Sequence, residues 1–225
     1  MAVMQPTALL KGLAPAALAA LLLAPAGTPG TFIDPAVAQA QKSPTPPAKA
    51  PRRAPRALIP DSAAERALLL DELYAHLATA ASEETAQLTS QAIEHVWLKS
   101  GSDTVNLLME RALKAVNEKN LDLALKLLDG VVELAPDYAE GWNRRAYVLY
   151  TRNEFARSLG DLRRVLALDP NHFKALDGLG QILREIDRKQ AALQVYRRLL
   201  EVHPYMSGAK SAVDELAREV EGQGI

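Results

Sequence analysis

Apolar residues recur along this chain at the three- and four-residue spacing of amphipathic helices. From residue 105 onward that spacing is itself repeated every thirty-four residues. Three phrases carry the period: "LDGVVELAP" closing on Pro136, "LRRVLALDP" on Pro170 and "YRRLLEVHP" on Pro204. Taken as 105–138, 139–172 and 173–206, the units hold a large apolar residue at the fourth place (Leu108, Trp142, Leu176) and a small one at the eighth (Ala112, Ala146, Gly180). The twentieth is small again (Ala124, Ser158, Ala192), and the twenty-fourth is large (Leu128, Leu162, Tyr196). A period of this length fits two short helices and two turns. Polar breaks at Glu118–Asn120, Arg152–Asn153 and Ile186–Arg188 cut each unit near its middle. The pattern predicts an all-α solenoid in which the small places mark close helix approach.

The flanks carry helical signals without the full signature. Ser62 and Glu65 have capping-box spacing, predicting a helix to about Ala81 with Leu69, Leu70, Leu73 and Leu77 on one side. Ser82 opens a second helix, Glu83 to about Lys99, with Leu88, Ala92, Val96 and Trp97 turned inward. "KSGSD" then breaks the run, with Ser102 or Asp103 as the next cap. One period before Pro136 stands Ser102. The eighth place of that unit is Ala78, but its twenty-fourth is Glu94. Residues 61–101 therefore read as an N-terminal helical hairpin, either a divergent repeat or a cap, ahead of the three repeats within 102–206. After Pro204, residues 207–225 predict a capping helix, roughly Ser207 to Val220. Its inward stripe is Val213, Leu216, Ala217 and Val220, and a frayed tail follows.

Upstream the pattern changes. Lys11, the apolar run Gly12–Ala24 and the small-residue sites around Ala36–Ala40 give residues 1–40 the layout of a secretory signal peptide of the Sec type. This predicts a periplasmic or otherwise exported protein; the alternative is a membrane anchor formed by an uncleaved leader. Residues 41–60 hold six prolines together with Lys42, Lys49, Arg52, Arg53 and Arg56, and no acid. They read as a disordered, basic linker. Membrane contact is expected only through this leader or linker.

Charge and composition narrow the chemistry. The net charge is −1, so nucleic acid is not an expected partner. Residues 61–140 carry a net −9 and residues 141–198 a net +6, with Arg163-Arg164 and Arg197-Arg198 one period apart on second helices as a convex basic stripe. The absence of cysteine excludes disulfides and thiolate chemistry. His76, His95, His172 and His203 fall in no metal-binding spacing, and the last two read as ordinary turn residues. No nucleophile elbow or phosphate loop is present; "GLG" at 178–180 falls inside a helix. No enzyme activity, metal or cofactor is expected.

The three units resemble tetratricopeptide repeats in period and in the order of small and large places. That resemblance implies a right-handed superhelical α-solenoid whose first helices line a concave groove. In the second unit the implied groove residues are Glu140, Asn143, Arg144, Tyr147 and Tyr150. In the third they are Lys174, Asp177, Gly178, Gln181, Arg184 and Glu185. In the first they are Asn106, Met109, Glu110, Leu113 and Val116, an apolar stretch for which the 62–99 hairpin is a candidate cover. Some relatives clamp carboxylate-terminated chaperone tails. Lys174 matches that clamp, but Met109, Leu113 and Gly178 depart from it, so this specificity is not expected. Arg145 faces Asp161 across its hairpin and implies a partly buried ion pair, whereas Arg111 faces Leu127. The functional expectation is an exported adaptor or scaffold that binds a protein or peptide partner in the groove. The alternatives are a cell-envelope tether that uses the basic linker and convex arginines, and a non-catalytic subunit docked on an envelope enzyme.

Overall fold

The computed structural model describes residues 59–60 and 62–222; the expected leader and most of the linker lie outside them. Among the described residues there are nine helices and no strand. They are α1 (Ala63–Ala78), α2 (Glu83–Trp97), α3 (Asp103–Asn117), α4 (Leu121–Leu134), α5 (Ala139–Thr151), α6 (Phe155–Leu168), α7 (Phe173–Glu185), α8 (Lys189–Val202) and α9 (Ala209–Glu221). None of them is long and apolar enough to cross a membrane. Helices α3–α4, α5–α6 and α7–α8 form three antiparallel hairpins, and each hairpin packs on the next through α4·α5 and α6·α7.

The thirty-four-residue ruler has a second set of marks in the backbone. Lys119, Asn153 and Asp187 sit one period apart, and all are left-handed, with φ of 59°, 61° and 57°. Each follows the first helix of its unit, and the next amide closes back on it: Asn120 to Ala115 O at 2.8 Å, Glu154 to Leu149 O at 2.9 Å, Arg188 to Leu183 O at 2.7 Å. This is a Schellman turn made without glycine. It fixes the angle between the two helices of every unit.

Packing follows the small–large alternation. Ala112, Ala146, Ala124 and Ser158 are essentially fully buried where paired helices meet. The Ser158 hydroxyl donates to Ala146 O at 2.8 Å and so satisfies its buried polar group. Gly141 stands at the α4·α5 contact, where a Cβ would come within 2.7 Å of Val131 Cγ1. Within its own hairpin, Arg145 holds Asp161 through two 2.8 Å bonds, as its position implied. It also reaches Asp129 at 2.9 Å, a partner on the preceding unit. α9 caps the last hairpin through Ala209, Ala212 and Leu216.

The N-terminal hairpin departs from expectation. α1 and α2 pair with each other, but they do not stack along α3 and α4 as a preceding repeat would; α1 meets α8 instead, and α2 meets the start of α7. The α2 surface is also turned. Leu88, expected inward, is 62% exposed, and Ala86, Ser90 and Ile93 join Val96 and Trp97 in the interior. The reason is the docking site. The hairpin lies along the edge formed by the turns between units and contributes Tyr74, Leu77, Ile93 and Trp97 to one core with Phe173, Leu199 and Val202.

Candidate functional site

Two depressions open between the first helices of the units. One, of about 190 Å³, lies between α3 and α5 and is walled by Leu113, Val116, Leu128, Arg144 and Tyr147. The other, of about 490 Å³, is lined by Tyr150, Gln181, Arg184, Glu185 and Tyr196. Leu113, expected to lie under the N-terminal hairpin, is therefore open; the hairpin covers the turn edge instead.

The expected groove residues divide into two groups. Tyr147 is 57% exposed, and Arg144, Tyr150, Gln181 and Arg184 line the depressions. Glu140 and Asn143 correct the expectation, since both are buried, Glu140 at 1% exposure. Met109 is also buried, on the inner face of α3. Glu140 accepts from Asn143 Nδ2 at 2.8 Å, Arg144 Nε at 2.5 Å and His172 Nε2 at 3.1 Å. Burial alone would push its carboxyl up, but the His172 bond, the Arg144 guanidinium and the Asn143 amide together hold it down at about 2. Asp177 accepts from Gln181 Nε2 at 2.8 Å, and burial pushes its carboxyl up. Lys174 is paired with Glu94 of α2 at 2.6 Å, and Arg184 with Glu215 of α9 at 2.8 Å.

His172 and His203 are not ordinary turn residues. His172 is fully buried and caps α7, with Nδ1 accepting from the Ala175 amide at 3.2 Å. Its proton is therefore on Nε2, which donates to Glu140. Trp97 stacks on this ring with centroids 3.8 Å apart and planes at 3°, and also meets Phe173 at 4.7 Å. Around the stack, Trp97 Nε1 donates to Tyr74 Oη at 3.1 Å, and the Tyr74 hydroxyl donates to Asp169 Oδ2 at 2.5 Å. The Tyr138 hydroxyl donates to Trp97 O at 2.8 Å. His203 meets Ser90 Oγ at 3.0 Å, while its Nδ1 has no partner; burial pushes its pKa down. The turns that end in the three prolines are thus the berth of α1–α2.

Sequence reasoning also missed Tyr196, because a twenty-fourth place is read as core. It is core, at 3% exposure, but it passes beneath Gly180, and it lines the second depression together with Arg184. The signal was present in the pairing of the largest twenty-fourth residue with the only glycine among the eighth places. The convex stripe is partly engaged: Arg164 donates to Pro136 O at 3.1 Å and Arg198 to Asn171 Oδ1 at 2.7 Å. Among the described residues no cluster of three or more His, Asp or Glu converges as a metal site would require.

Comparison with known proteins places this arrangement. Residues 109–172 and 143–207 match the tetratricopeptide repeat family. A TPR repeat-containing protein of Rhizobium etli is 37% identical over 153 residues, covering 68% of this chain and 75% of that protein. The fold is similar to the Arabidopsis OM64 TPR domain, with a TM-score of 0.50 and 21% identity over 52% of this chain and 96% of that one. It is also similar to the first TPR of Spaghetti (RPAP3) bound to an HSP90 peptide, with a TM-score of 0.51 and 20% identity over 53% and 95%. The chain belongs to the tetratricopeptide repeat family.

Proposed function

We propose that this chain is a non-catalytic scaffold that binds a protein or peptide partner in the groove lined by α3, α5 and α7. The observation that carries the reading is Tyr147. It is more than half exposed, and it stands beside Leu113 and Val116 on the rim of an open depression that Asn117 and Arg144 also line. A rigid aromatic residue next to an aliphatic pocket is the usual make-up of a binding hot spot. The pocket, about 190 Å³, is smaller than the roughly 300–1,000 Å³ typical of small-molecule sites, and it suits a single side chain. The RPAP3 domain of similar fold, with its bound peptide, supports the same use of the groove. The leader-like residues 1–40 support export.

The test is crosslinking in intact cells, followed by pull-down of the captured partner with wild type, Tyr147→Ala and Tyr147→Phe. The alanine variant is expected to lose the partner while keeping its far-UV circular dichroism, and the phenylalanine variant to retain most of it. Capture unaffected by Tyr147→Ala would refute the groove. Amino-terminal sequencing of the mature protein tests export: a start near residue 40 is expected, and an intact Met1 would count against it.

A further inference from the structure

The berth of α1–α2 holds a histidine with one nitrogen left over. His203 follows α8, is 6% exposed and joins the array to the hairpin through Ser90 Oγ of α2 at 3.0 Å. Ser90 spends its single proton on Ala86 O at 2.8 Å. The hydroxyl therefore accepts, and the ring proton is on Nε2. Nδ1 is left as a bare lone pair, buried and without a partner. A proton there would place a charge that nothing balances. Phe173 of α7 stands edge-on to the ring at 5.3 Å. Glu94, one turn beyond Ser90 on α2, is paired with Lys174 of α7 at 2.6 Å. α1 brings Leu77 to the same core, and Tyr74, whose hydroxyl is bonded to Asp169; α9 brings Ala209. Glu201 of α8 is exposed and bonded to Arg198. Burial lowers the pKa of the ring, with no neighbouring charge to offset it. His172 has no such gap, since Glu140 takes its Nε2 proton and the Ala175 amide fills Nδ1. His76 and His95 are exposed.

We propose that His203 makes α1–α2 an acid-released strap: a proton on Nδ1 detaches the hairpin from the turn edge while α3–α9 keep their fold. Nδ1 takes that proton far more readily once the hairpin lifts and water reaches the ring, so acid favours the lifted state. The effect is local because His203 lies on the contact between strap and array, whereas the repeats are joined through α4·α5 and α6·α7. Release uncovers Phe173, on which Trp97 lies. This device is independent of the groove reading.

Native-state hydrogen exchange on the full chain, followed from about pH 7.5 to about pH 5 and expressed as protection factors, reads the release. Above about pH 6.5, the ordinary histidine value, protection in α1–α2 should be flat. Below it, protection there should fall by up to tenfold for each pH unit, with α5 and α6 unchanged. In His203→Gln, whose amide still donates to Ser90, this pH dependence should vanish. A flat wild-type profile, an equal fall in α5 and α6, or a slope kept in His203→Gln would overturn the proposal. A second measurement does not depend on that variant folding. In Trp97→Ala, where the strap has lost its contact with Phe173, NMR titration of the His203 ring should give about 6.5, and the wild-type ring should titrate below that. One value for both proteins would equally overturn it.

Discussion

The pairing of Gly180 with Tyr196 can be tested by exchanging it for the pair the other two units use. Those units hold Ala112 with Leu128 and Ala146 with Leu162. A Cβ on Gly180 would stand 2.8 Å from Cε2 and Cζ of Tyr196 and 3.1 Å from Cε1. Relaxed carbon contacts lie at about 3.5–4.0 Å, so the ring must move, and at 3% exposure it has little room. Gly180→Ala gains about 1 kcal/mol of helix propensity and loses about 1–3 kcal/mol to overpacking. The net expectation is a loss of about 1 kcal/mol, against the helix-propensity rule. Tyr196→Leu alone empties the space beside Gly180 and should cost about 2 kcal/mol. Together the two substitutions rebuild the alanine–leucine contact, so the double variant should lose less than Tyr196→Leu does. The coupling should be about 2 kcal/mol. Urea unfolding followed by far-UV circular dichroism measures all four corners of the cycle. A double-variant loss equal to the sum of the single losses within about 0.5 kcal/mol would refute the steric argument.

Three further expectations follow from the turns and the hairpin. Lys119→Gly should stabilise by up to about 1 kcal/mol, because the left-handed backbone costs an L-residue about that much; calorimetry should show Tm rising by roughly 2–4 °C, and a fall would mean the lysine side chain matters more than its backbone. Trp97→Ala should cost about 3–5 kcal/mol and release α1–α2 while α3–α9 stay folded; limited proteolysis should then cut within residues 62–99 first, and uniform digestion would argue against a separable berth. Acid should weaken the fold in two stages. The His203 contribution is whole above about pH 6.5 and declines as pH falls below it, because burial lowers its folded pKa. The Glu140 contribution is whole above about pH 4.3 and is lost as pH falls through its folded value of about 2; the shift corresponds to about 3 kcal/mol. Urea midpoints followed from about pH 7 to about pH 2 should decline in both windows, with the lower decline smaller in Glu140→Gln; a midpoint indifferent to pH would contradict both assignments.

The array is legible in the primary structure. Helix spacing, turn positions and the small–large alternation are written within each thirty-four residues, because every unit makes its main contacts with itself and its neighbours. Arg145 with Asp161 was legible for the same reason, being sixteen residues apart in one hairpin. The groove positions came from the family resemblance. Tyr147, Tyr150 and Arg184 do border depressions there, whereas Glu140 and Asn143 do not. Periodicity assigns a face to a helix, but it cannot say that a neighbouring histidine and arginine will draw a carboxylate inside. The place of α1 and α2 is set by long-range contacts. Their partners stand far along the chain: Tyr74 meets Asp169 ninety-five residues on, and Ser90 meets His203 one hundred and thirteen residues on. The face that α2 buries is set by the Trp97–His172 stack and not by its own leucines, so Leu88 is left in solvent. A local hydrophobic pattern fixes which residues can pack, but contacts between distant segments fix which of them do.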